Sequence, residues 1–236
     1  MPFLNDASHD DAPIAELYLG APGVELDESN PDNRFGLQWL DTIEKLLDEV
    51  AAGPAKALVI TATGKFFSNG LDTNFVFANP TELPTYLDRV HALFAKVLTL
   101  PVPTVAALNG HAFGAGAMLA LCADTTVMRT ERGFWSLPEA ALNMPFTRGM
   151  AALVRTRLSD RTATEAMLTS RRYGAEDAVA AGIAQEAVDV ADLVSRASSI
   201  AAARSAVAGK NLTLIKRGLR QELLDDLAVA TPPALL

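Results

Sequence analysis

Two short glycine-bearing segments and one glutamate are the residues of this 236-residue chain whose types and spacing could do chemistry. The segments are Gly64-Lys-Phe-Phe-Ser-Asn-Gly-Leu-Asp72 and Asn109-Gly-His-Ala-Phe-Gly-Ala-Gly116, and each follows a short apolar run, at 57–62 and 104–108. In parallel α/β sheets, ligands gather beyond the carboxyl ends of the strands, where such loops lie. Glycine lets the backbone come close to a ligand, and amides at the start of a helix point outward unpaired. Two such loops side by side could offer two N–H donors to one oxygen, an oxyanion hole. Composition alone favours the plainer description of two tight turns. The glutamate, Glu139, stands in Phe134-Trp-Ser-Leu-Pro-Glu-Ala-Ala-Leu142. Its apolar neighbours could raise its pKa and make it a useful base. Locally, Ser136-x-x-Glu139 with Pro138 between them is also a capping box, which favours a helix start.

Other chemistries lack their residues. Gly114-Ala-Gly-Ala-Met-Leu119 puts Leu where a dinucleotide fingerprint needs Gly or Ala, and Gly64-Lys65 lacks both the upstream glycine and the following Ser or Thr of a phosphate loop. No Gly-x-Ser-x-Gly elbow occurs. One cysteine, Cys122, can make neither an internal disulfide nor a multi-cysteine zinc site, and points to a reducing compartment. The three histidines, His9, His91 and His111, show no ligand spacing, so no metal is expected. Twenty Lys and Arg against 28 Asp and Glu give a net charge of −8, which argues against nucleic acid as a partner.

The elements that must position these groups read as α/β. Residues 13–19 alternate as a strand, 21–33 form a loop, and 34–50 carry apolar residues at helical spacing. The run 57–62 after that helix suggests a βαβ unit with a parallel sheet. A second unit repeats it with a helix at 82–99, a strand at 104–108, and a buried helix over Gly114–Ala123; a third strand follows at 125–129. Beyond 145 the pattern is helical, over 148–158, 162–169, 175–181, 190–207 and 210–228. The shift suggests a boundary near 190, with residues 1–189 as a core and 190–236 as a helical region that forms a separate lobe or packs on a partner subunit. No signal peptide and no run of about 18 apolar residues appears, so a cytoplasmic protein outside the membrane is expected.

Together the segments resemble the crotonase superfamily, the enoyl-CoA hydratase/isomerase family, over roughly 13–190. The signposts are Phe66-Phe-Ser-Asn-Gly-Leu-Asp72, Pro103-Thr-Val-Ala-Ala-Leu-Asn-Gly-His-Ala-Phe-Gly-Ala-Gly116 leading to Cys122-Ala-Asp124, then Pro138-Glu139 and Gly174-Ala-Glu-Asp-Ala-Val-Ala-Ala-Gly-Ile183. The resemblance implies an α/β fold, a crotonase-like spiral of repeated ββα units with a C-terminal helical region at 190–236 that makes trimers or hexamers. It implies an acyl-CoA thioester whose carbonyl is held by the amides of Leu71 and Ala115, after Gly70 and Gly114. Lys65, Phe66, Ser68 and Leu71 become candidate CoA contacts, although at least one of Phe66 and Phe67 is expected in the core. Lys210, Lys216 and Arg217 are weaker candidates for the CoA phosphates, with solvated surface charge as their default reading.

Hydratases of the family use two carboxylates. Here the first position is Met118, which cannot take a proton, and the second is Glu139. A single base resembles the Δ3,Δ2-enoyl-CoA isomerases, most like the plant peroxisomal branch, though the last residues match no peroxisomal address. The expectation is an isomerase that shifts a 3-enoyl-CoA to a 2-enoyl-CoA through Glu139, with no cofactor beyond the CoA of the substrate; Asn143, Met144 and Phe146 either line the acyl pocket or serve ordinary loop packing, two readings of equal weight. The alternatives are a hydratase or another crotonase-type reaction, with Asp72 as a substitute carboxylate, and a non-catalytic CoA-binding homologue.

Overall fold

The computed structural model describes residues 1–10, 12–20 and 32–233; most of the loop expected at 21–33 lies outside them. Strand β1 (Phe3–His9) runs antiparallel to β2 (Ala12–Tyr18), and the predicted amphipathic helix forms as α1 (Leu37–Ala52). Three units of the same kind follow. The first is β3 (Ala57–Thr61), β4 (Phe66–Ser68), and the helices α2 (Thr73–Ala78) and α3 (Leu83–Leu98). The second is β5 (Thr104–Leu108), β6 (His111–Phe113) and α4 (Ala115–Cys122). The third is β7 (Thr125–Arg129), β8 (Trp135–Ser136) and α5 (Arg148–Arg157). The chain continues through α6 (Asp160–Thr169), α7 (Ala175–Ala180), β9 (Glu186–Val188), α8 (Leu193–Ala202), α9 (Lys210–Leu219) and α10 (Gln221–Leu227).

The first strand of each unit enters a six-stranded sheet of order β1-β2-β3-β5-β7-β9, parallel except for β1. The second strand enters a small parallel sheet, β4-β6-β8, which stacks the three connecting loops beside one another. This thrice-repeated ββα step is the expected spiral. The large sheet is buried on both faces, which is why its central strands read as unbroken apolar runs. Ile14, Ala57, Val59, Val105 and Val127 pack under Leu193, Ala197 and Ile200 of α8. Their alternates Leu17, Leu58, Ile60, Ala106 and Met128 join the main core with α1, α3 and α4.

The C-terminal helices lie directly on this core, α8 across the sheet and α10 against α3 and α5. The single helix expected over 210–228 breaks at Arg220, whose guanidinium is buried and donates to Leu98 O at 2.5 Å and Asp124 Oδ1 at 3.1 Å. Lys216, expected at the surface, is 4% exposed; its ammonium lies 2.5 Å from Asp124 Oδ2 and 2.9 Å from Val102 O. It anchors the C-terminal helices and is not available to a phosphate. Among the described residues no helix is long and apolar enough to cross a membrane.

Candidate active site

Pairing of β4 with β6 sets the two glycine loops against each other. Gly70 adopts φ +81°, and a Cβ there would stand 2.7 Å from Phe113 O and 2.9 Å from Ala115 N, so only glycine lets the first loop approach the second this closely. The Leu71 N–H follows Gly70, and among the described residues no group accepts from it. Ala115 opens α4, so its N–H has no partner within the helix. The two amides expected to hold one oxygen are thus brought to one place.

Glu139 completes the arrangement. No helix starts there: residues 139–143 form turns, with Leu142 N and Met144 N donating to Glu139 O, and the Ser136 hydroxyl donates to Ser170 O. The capping-box pattern is therefore not used as a cap. The glutamate side chain instead turns inward over the second loop. Its Oε1 lies 3.2 Å from where a Cβ on Gly114 would be, and Gly114, at φ +53°, has none. Its Oε2 is buried with no hydrogen-bond partner. Burial without a cation pushes its pKa up to about 7, only partly offset by its own backbone N–H.

Leu71, Gly114, Ala115 and Glu139 lie on a cavity of about 670 Å³ whose walls include Phe77, Leu83, Leu87, Leu142, Met144 and Met150. Asn143 and Met144 line it, whereas Phe146 packs against the core. Among the described residues that line the cavity, Glu139 is the only acid. Met118 is fully buried in the core and does not line the cavity. Asp72 is spent as the N-cap of α2, accepting from Phe75 N at 3.2 Å.

The candidate CoA contacts divide. Lys65 is exposed, with its ammonium 5.5 Å from the centre of the half-buried Phe66 ring, and that ring packs on His111 and Phe113. Phe67 is core. Ser68 is fully buried, its hydroxyl donating to Asn33 O at 2.7 Å and accepting from Gly70 N at 3.1 Å, so it shapes the loop from inside. Sequence reasoning passed over Asp32, Asn33 and Arg34, which brace this loop from the segment before α1. Their only local signal is a Pro-Asp-Asn turn pattern.

Residues 21–229 match the enoyl-CoA hydratase/isomerase family model. The chain is 32% identical over 161 residues to the peroxisomal enoyl-CoA delta isomerase 1 of Arabidopsis thaliana, covering 66% of this chain and 67% of that protein. It is 32% identical over 200 residues to a putative enoyl-CoA hydratase of Thermus thermophilus, covering 82% and 78% of the two chains. The crystal structure of a probable enoyl-CoA hydratase from Mycobacterium tuberculosis superposes with a TM-score of 0.81 at 23% identity, over 95% of this chain and 91% of that one, which shows the common fold. With paired amides and a half-buried glutamate at one cavity, and a family match across most of its length, this chain belongs to the enoyl-CoA hydratase/isomerase family of the crotonase superfamily, close to its enoyl-CoA isomerases.

Proposed function

We propose that the protein is an isomerase that moves the double bond of a 3-enoyl-CoA to the 2-position. The observation that carries this reading is the solitary acid: Glu139 stands over the second amide loop, on a largely apolar cavity whose described walls hold no other carboxylate. In this reading Glu139 takes a proton from C2, and the electron pair spreads over C2, C4 and the thioester oxygen. The Leu71 and Ala115 N–H groups hold that oxygen, which is most negative in the dienolate, so they favour the transition state over the substrate. Protonated Glu139 then returns the proton at C4, leaving the double bond between C2 and C3 and the enzyme unchanged. A pKa near 7 suits a group that must be base and then acid in one turnover.

Hydration would need a second group to orient water, and the buried Met118 thioether cannot act as one. The proton shuttle itself calls for no resident cofactor or metal. The CoA nucleotide is assigned to the first loop, near Lys65, Phe66 and Gly70. A homotrimer or hexamer is proposed to cover the apolar face of α9, where Leu214, Ile215 and Leu219 are exposed.

Glu139→Gln tests the reading. Turnover of a 3-enoyl-CoA should fall by roughly 10²- to 10⁴-fold while thermal unfolding stays cooperative. Near-wild-type turnover of the variant overturns the role of Glu139. Hydration of crotonyl-CoA faster than isomerisation of 3-hexenoyl-CoA by the wild type favours the hydratase reading instead.

A further inference from the structure

The first amide loop is held by one short stretch of chain, residues 32–35. The Asn33 amide nitrogen donates to Phe66 O at 3.2 Å and Phe67 O at 3.1 Å. Asn33 O accepts the Ser68 hydroxyl, which in turn accepts Gly70 N. Asp32 O accepts Asn69 N at 3.0 Å, and the Asp32 carboxylate accepts the Asn69 side chain as well as Arg34 Nε. Phe35 N donates to Gly70 O at 2.8 Å. Every residue from 66 to 70 is therefore tied to this stretch, and the next N–H along the chain is that of Leu71.

The last of these bonds has a directional consequence. In a trans peptide the C=O of one residue and the N–H of the next point in opposite directions. Anchoring Gly70 O on Phe35 N therefore aims Leu71 N–H at the cavity, and a hydrogen bond to that carbonyl also polarises the same peptide and strengthens its N–H as a donor. Asn33 keeps the bracing stretch in place: it is 9% exposed, adopts φ +54°, and both its side chain and its carbonyl face the loop.

We infer that Asn33, together with Ser68, is a positioning residue for catalysis, setting the direction of the Leu71 N–H without touching the substrate. This rests on the oxyanion role of Leu71 in the reading above. Since the donor acts mainly on the charged oxygen of the transition state, misaiming it should lower kcat and leave KM nearly unchanged.

The test uses Asn33→Gly, which accepts the positive φ and removes only the side chain, and Ser68→Ala as an independent route if the first variant fails to fold. Each is assayed for kcat and KM on a 3-enoyl-CoA, for the near-ultraviolet enolate band of bound acetoacetyl-CoA, and for affinity toward an alkyl-CoA thioether, which has no carbonyl oxygen. Expected are a fall in kcat of about tenfold, part of the 10²- to 10³-fold cost of losing such a donor outright. KM should stay within about twofold, the enolate band should weaken, and thioether affinity should be unchanged. An undiminished kcat and enolate band, or a thioether affinity that falls in step with kcat, overturns the inference. Absence of the enolate band in the wild type overturns instead the oxyanion reading on which it stands.

Discussion

Two half-buried acids flank the same helix, α4, and the chain treats them in opposite ways. Asp124, just past its C-terminal end, receives Thr104 N and Oγ1, the Lys216 ammonium and the Arg220 guanidinium. Burial alone would raise its carboxyl, but these partners hold it below the usual carboxylate range. Glu139, over the N-terminal end, meets glycine and apolar side chains, and one of its oxygens has no partner, so burial goes uncompensated. A compensated charge fastens the C-terminal helices to the core. An uncompensated one is poised to change its protonation state. The contrast teaches that burial by itself does not mark a functional acid; what marks it is burial without a counter-charge, beside a cavity.

The comparison can be pressed from both sides. Asp124→Ala leaves two buried cations without their anion and should cost about 3–5 kcal/mol in stability near neutral pH. Denaturant unfolding reads this directly, and the deficit should shrink in acid, because a carboxyl with a lowered pKa contributes above its usual value and loses that contribution as it is protonated. Glu139→Gln should do the reverse. A carboxyl whose folded pKa is raised to about 7 costs stability as pH climbs from the ordinary carboxylate value toward 7. The Gln variant should therefore be more stable than wild type by about 1–3 kcal/mol above pH 7 and indistinguishable near pH 4. Equal stability at both pH values would mean that the carboxyl is effectively solvated.

The same group should govern the rate. With Glu139 needed as the free base, kcat/KM should rise with pH and level off above about 7. At pH 6 it should lie about tenfold below the plateau, and a flat profile between pH 5 and 8 would separate Glu139 from the proton transfer. The smallest effect belongs to an exposed control. Arg196 meets Glu186 with two contacts of 2.7 Å, yet both side chains are solvent-accessible, so Arg196→Ala should leave stability nearly unchanged. A loss as large as that of Asp124→Ala would show that geometry, and not burial, sets the worth of these pairs.

Much of the frame was legible in the sequence. The strands at 57–61, 104–108 and 125–129 are buried on both faces, so their composition announces them without any partner in view. The strands that escaped notice are of two other kinds. β1 is an edge strand with three exposed residues and so lacks clear alternation, and β4, β6, β8 and β9 have two or three residues each, too few for a period. The glycine loops and Glu139 stood out by residue type and spacing. The bracing by Asn33 did not, since it acts on residues 33 and 34 places further along the chain.

What the sequence determined by itself is therefore the set of local commitments: the apolar runs, the helical stripes, and the glycines where the backbone must pass through a positive φ. These depend on residues within a few positions of one another. The tertiary structure alone decided which polar groups would be buried and whom they would meet. Local patterning made Glu139 a helix cap and Lys216 a solvated cation. Folding withdrew the first from water with no counter-ion and the second onto Asp124, 92 residues earlier in the chain. Desolvation depends on everything that surrounds a group in space, and that is fixed only when distant segments close around it.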